Sequence, residues 1–159
     1  MTRFIIAALL AAQSIGAVGK PLKKRAYFTE SDKYFEPFYK DFEERFDVPI
    51  TNIPIKFVGI KGGQIALCYY NASVNIKFIV VDRFNWNKLS RAGKQFVIDH
   101  ELGHCHFKYM KHDNGRLLNG RPRSIMSSAI FSGLDLRYYN QNDKYYVNEL
   151  KRKAANAKK

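Results

Sequence analysis

Residues 97–107 of this 159-residue chain read Val-Ile-Asp-His100-Glu101-Leu-Gly-His104-Cys105-His106-Phe107. Ionisable groups are set here inside an apolar run. On a helix, positions i and i+4 lie about 40° apart, so His100 and His104 share one face. Phe96, Val97 and Phe107 flank that face, and Ile98, Leu102 and Cys105 line the opposite side. A helix apolar on two sides is buried, and burying two imidazoles and a carboxylate without compensation is costly. The fold must therefore enclose this helix and supply hydrogen-bond partners or a cation to it.

A divalent metal resolves the conflict. Zinc accepts imidazole nitrogen at roughly 2.0–2.1 Å in tetrahedral geometry, which suits His100 and His104. Glu101 sits about 100° round the helix from His100, beside such an ion rather than on it. There it can act as general base toward a water bound to the zinc and then hand the proton to a leaving amine. Two histidines leave the ligand set short. His112, eight residues beyond His104 and past the expected helix end, is the first choice for a third ligand. Asp113 could orient the His112 ring or replace it, and Glu149 is the main rival. His106 lies about 200° round from His104 and cannot reach the same ion; it is expected on the solvent side or near Asp99.

The remaining pattern is α+β. Phe35, Phe38, Tyr39, Phe42 and Phe46 recur at helical spacing, with Ser31 or Asp32 as N-cap. Strand-like runs occupy 55–60, 64–70 and 74–81. Gly62-Gly63 and Asn71-Ala-Ser73 separate them, which suggests antiparallel pairing. The His-bearing helix is expected from Ser90 to Phe107. Breakers at Asn114-Gly115, Asn119-Gly120 and Pro122 predict irregular chain over 111–137. A last helix begins near Asn142 or Asp143.

The segment His100-Glu-Leu-Gly-His104-Cys105, the histidine–acid pair after it, and Arg123-Ser124-Ile125-Met126-Ser127 together resemble small exported metallopeptidases of the zincin type. The resemblance covers roughly residues 60–130, with a weaker echo at 142–150. It implies a small mixed sheet packed on the active-site helix, between N- and C-terminal helices. It also implies an edge strand, over Gln64–Tyr70, that binds extended peptide, and a Met-turn placing Met126 beneath His100 and His104. Metzincins carry a glycine three residues after the second histidine and a third histidine six after it; here those positions are Phe107 and Met110. Ser128 stands where some carry a tyrosine that assists the oxyanion, leaving Tyr138, Tyr139, Tyr145 or Tyr146 as substitutes. Cys68 and Cys105 form either a disulfide anchoring the helix to the sheet or two separate buried thiols; the disulfide would be worth roughly 2–4 kcal/mol.

Arg3, the uncharged run Phe4–Gly19 and the small-x-small triplet Ala17-Val18-Gly19 have the layout of a signal peptide. The run has 16 residues, fewer than the roughly 20 a spanning helix needs. The organisation expected is thus a leader over 1–19, a basic segment over 20–30, a zincin-like domain over 31–150 and a basic tail over 151–159. The mature chain would be periplasmic or extracellular, with no membrane span. The formal charge of +13 draws such a chain to cell-wall polymers, anionic lipid or nucleic acid without naming a partner. No RNP-like, zinc-finger or helix-turn-helix pattern accompanies it. The expected activity is zinc-dependent hydrolysis of a peptide or protein substrate. The alternatives are hydrolysis of cell-wall peptide crosslinks by the same site, or a non-enzymatic secreted module stabilised by zinc.

Overall fold

The computed structural model describes residues 30–128 and 133–157. The leader expected over 1–19, nearly all of the basic segment after it, and the last two lysines of the tail lie outside the described residues. A 3-10 turn at Lys33–Phe35 leads into α1 (Glu36–Phe46), with Pro37 in its first turn, where a missing N–H costs nothing. Asp47 takes the left-handed conformation (φ 50°) that closes α1. Phe35, Phe38, Phe42 and Phe46 are buried as the periodicity predicts. The expected cap is not made. Asp32 spends its carboxylate on the Phe57 N–H (3.0 Å) and the Lys56 ammonium (3.2 Å), and Ser31 Oγ accepts from Ile55 N–H at 3.0 Å. Tertiary partners on the first strand displaced the local hydrogen bond.

The sheet has three strands, β1 (Ile55–Phe57), β2 (Ala66–Asn71) and β3 (Ile76–Val81), in the order β1-β3-β2. β2 pairs antiparallel with β3, Cys68 opposite Ile79, as expected. The expected pairing of the first strand with the second is wrong: β1 runs parallel to β3, Ile55 opposite Ile79. The reason lies in β3. Ile79, Val80 and Val81 are consecutive and all buried, so this strand needs cover on both faces and neighbours on both edges. It takes the centre and separates β1 from β2. β2 is left at the edge, its residues half-buried or exposed.

A short helix, α2 (Arg83–Trp86), capped by Asp82, buries Trp86 against Phe35 and Phe38. α3 (Arg91–Cys105) then crosses the sheet, mainly against β2. Ser90 caps it as expected, its Oγ accepting from Gly93 N–H at 3.1 Å. The stretch expected to be irregular through 137 instead contains α4 (Gly133–Gln141), which packs on α3. After Gly133 this segment carries no helix breaker. α5 (Asp143–Asn156) follows at the predicted start and packs on α1 and α4. The fold is α+β, with a small mixed sheet and helices around it. Among the described residues no helix is long and apolar enough to cross a membrane.

Candidate metal centre

The helical spacing puts the rings of His100 and His104 side by side, and the coil after α3 brings His112 to them. His104 Nε2 lies 3.1 Å from His100 Nε2 and 3.2 Å from His112 Nε2. One nitrogen from each ring falls within 4.8 Å of the others. The other ring nitrogens of the first two histidines are already used. His100 Nδ1 donates to the Ile125 carbonyl (2.9 Å), and His104 Nδ1 donates to the Tyr109 carbonyl (2.7 Å). A carbonyl only accepts, so the proton of each neutral ring is on Nδ1 and each Nε2 carries a bare lone pair. The Nε2 atoms of His100 and His104 therefore face one another without a proton to share. Two lone pairs at that distance repel unless a cation lies between them. Ligands 2.0–2.1 Å from a tetrahedral ion stand roughly 3.3–3.4 Å apart, close to the separations seen here.

Electrostatics keep the rings neutral. Burial pushes the His100 imidazole down to about 3, and the neighbouring His104 adds to the effect. Burial likewise brings His104 down to about 4 and, through partial desolvation, lowers the more exposed His112. Neutral imidazole is the form that binds metal. Glu101 is 8 % exposed, and its Oε2 accepts from the Cys68 N–H of β2 at 2.6 Å. Burial pushes its carboxyl up to about 7, against the lowering effect of that amide. It thus stands near the pKa at which a group both takes and gives a proton at neutral pH.

The two carboxylates considered as rival ligands are engaged elsewhere. Asp113 accepts from Arg123 Nη2 (2.9 Å), Lys153 Nζ (2.6 Å) and the Gly115 N–H (2.9 Å). Glu149 is buried on α5, ion-paired with Lys153 at 2.5 Å and accepting from Ser124 Oγ at 3.0 Å. Neither belongs to the three-histidine group. His106 caps the end of α3 and packs near Phe42 and Phe107, also outside the group. The tyrosines considered for oxyanion contact have other roles. Tyr139 donates to Asp99, Tyr145 to the Arg123 carbonyl and Tyr146 to the Pro122 carbonyl, while the Tyr138 hydroxyl accepts from Asn119. Ser128 hydrogen-bonds Asn114.

Met126 is fully buried against α3. A Cβ on Gly103 would come 2.5 Å from Met126 Sδ, so any larger residue there would push the Met126 side chain aside. The adjacent Ile125 carbonyl is the one that orients His100. Cys68 and Cys105 form a disulfide, which ties β2 to α3 immediately after His104. No residue pattern announces the Ile125, Tyr109 and Cys68 backbone groups, because any residue type supplies a carbonyl or an amide. No protein-family model, curated protein or solved structure matches this chain.

Proposed function

We propose that this chain is a zinc-dependent hydrolase of the zincin type, acting on peptide bonds of an extended protein or peptide substrate. The observation that carries the reading is the convergence of the imidazole nitrogens of His100, His104 and His112, two of them deprotonated by tautomer, next to a buried glutamate. The donor set fits zinc: three neutral imidazoles with no thiolate, since both cysteines are in the disulfide. Three protein ligands leave a fourth position for solvent, which separates a catalytic zinc site from a structural one. When bound, zinc supplies Lewis acidity, lowering the pKa of water and polarising a carbonyl.

The residues divide the rest of the work. His100, His104 and His112 hold the ion. Glu101 Oε accepts the proton of the attacking water and delivers it to the nitrogen of the departing amine. The Cys68 amide fixes that carboxylate against β2, and the disulfide fixes Cys68. The outer edge of β2, unpaired by any described strand, offers backbone groups to an extended peptide. The disulfide also supports an exported location, because such bonds persist in oxidising compartments. The charge of +13 favours, as a second reading, an anionic cell-wall polymer as the setting for the same chemistry.

Glu101→Gln tests the mechanism. The variant should retain zinc while hydrolysis of an unfolded protein falls by about 10²–10⁴-fold. Zinc retention with undiminished hydrolysis would reject Glu101 as the base. Parallel assays on purified cell wall and on unfolded protein separate the two substrate readings.

A further inference from the structure

Each imidazole of the three-histidine group is held by, or adjoins, a different residue of the loop after α3. His104 rests on the Tyr109 carbonyl, His100 on the Ile125 carbonyl, and His112 is followed by Asp113. Tyr109 and Asp113 belong to one stretch of this loop and Ile125 to another, and one side chain bridges the two stretches. Lys153, on α5, donates to Asp113 Oδ2 at 2.6 Å and to Ser124 Oγ at 2.9 Å, beside Ile125. Its ammonium also lies 5.5 Å from the centre of the Tyr109 ring. Glu149 Oε1 lies 2.5 Å from the same ammonium and pairs with its charge.

The surroundings make this more than a surface ion pair. Lys153 and Asp113 are mostly enclosed, with side-chain exposures of 17 % and 11 %, and Glu149 has 2 %. Ser124 Oγ in turn accepts from Met126 N–H at 3.0 Å, and Asp113 N–H donates to the Met126 carbonyl at 2.8 Å. The loop bearing His112 and the segment bearing Ile125 are thus joined to each other and pinned to α5. His112 depends on this most. Among the described residues its Nδ1 has no carbonyl partner of the kind His100 and His104 possess, and the backbone beside it is held by the Asp113 N–H bond to the Met126 carbonyl.

We propose that Lys153 is the positioning residue of the metal centre: from the C-terminal helix it ties the stretch that carries His112 to the stretch whose Ile125 carbonyl orients His100, and so sets the affinity and geometry of the site. This rests on the zinc reading above. Partners that orient metal ligands from behind change affinity by about 10–100-fold when removed, and Lys153 joins two of the stretches that carry them.

The test measures metal binding, not turnover. Zinc affinity is read by competition with a chromogenic chelator, and site geometry by the visible bands of the cobalt(II)-substituted chain. The set is wild type, Lys153→Met, Lys153→Arg and Lys153→Met combined with Glu149→Gln. The double variant keeps the buried cluster from carrying an uncompensated carboxylate. Expected are a 10–100-fold weaker zinc affinity and altered cobalt bands in both Met-containing variants, with Lys153→Arg recovering most of the affinity. Folded Met-containing variants that bind zinc within twofold of wild type, with unchanged cobalt bands, would overturn the proposal while leaving the zinc reading intact. A wild type that binds neither metal would overturn both. Should both Met-containing variants fail to fold, Ser124→Ala, which removes one of the two acceptors of the Lys153 ammonium, is read in the same way: a several-fold loss of affinity supports the positioning role and an unchanged affinity rejects it.

Discussion

Two polar clusters lie on different sides of α3, each built on an i, i+4 pair. On one side Gln95 and Asp99 share a face, and the Asp99 carboxylate is fully buried. Arg45 reaches it from α1 with Nη2, while its other nitrogens bond Asp41, Tyr139 and Asp143. Gln95 and Tyr139 complete the coordination of Asp99. Burial pushes this carboxyl up, and the Arg45 guanidinium pulls it back. On the other side His100 and His104 present lone pairs to one another and to His112. The Asp99 cluster contains its own cation. The histidine cluster has none, although its ligand atoms are just as tightly arranged. A buried charge that is paired from within the chain is a structural device; the facing lone pairs of the histidine cluster are what the proposed zinc would satisfy.

The contrast can be broken from either side. The largest effect is expected from Arg45→Met, which strands Asp99 in the interior. It should cost about 3–5 kcal/mol of stability, equally with and without zinc, measured by urea unfolding. A cost below about 1 kcal/mol would mean that the Asp99 cluster is not self-contained in the way described. Replacing Cys68 and Cys105 together by serine should come next, lowering stability by roughly 2–4 kcal/mol as the link between β2 and α3 is lost. On the histidine side, zinc at a hundred times its Kd should stabilise the wild type by about 2.7 kcal/mol. His104→Ala should abolish that gain while altering the metal-free protein far less than Arg45→Met does. A zinc-dependent rise in Tm that survives His104→Ala would place the ion elsewhere.

The smallest effect concerns Asp32, which the Phe57 N–H holds below the usual aspartate range. A carboxylate with a lowered folded-state pKa stabilises above its unfolded value and loses that contribution as pH falls through the folded one. Asp32→Asn should therefore cost about 1 kcal/mol at neutral pH. The difference from wild type should begin to shrink as pH drops below about 4, the ordinary aspartate value, and vanish once pH is below the lowered folded-state value. A gap that is constant with pH would assign the effect to shape rather than charge.

The histidine side was legible because its signal is local. His100, Glu101 and His104 lie within one helical turn, and His112 is near enough in sequence for the chain to bend back. The α1 face and the Ser90 cap were readable for the same reason. What escaped depends on contacts distant in sequence. Asp32 and Ser31 gave up capping for partners some 24 residues away. β3 took the centre of the sheet because it is apolar on both faces, which no turn residue announces. Arg45 and Asp99 are 54 positions apart, and Lys153 and Asp113 are 40 apart. Nothing in either local sequence marks these pairs, and a lysine on a terminal helix reads as solvent-facing until the fold encloses it.

X-ray absorption at the zinc edge on the purified, zinc-loaded protein tests the central claim most directly. The account predicts three imidazole ligands with nitrogen at about 2.0–2.1 Å and one further light-atom ligand. A shell of oxygen atoms alone, or fewer than two imidazoles, would contradict it.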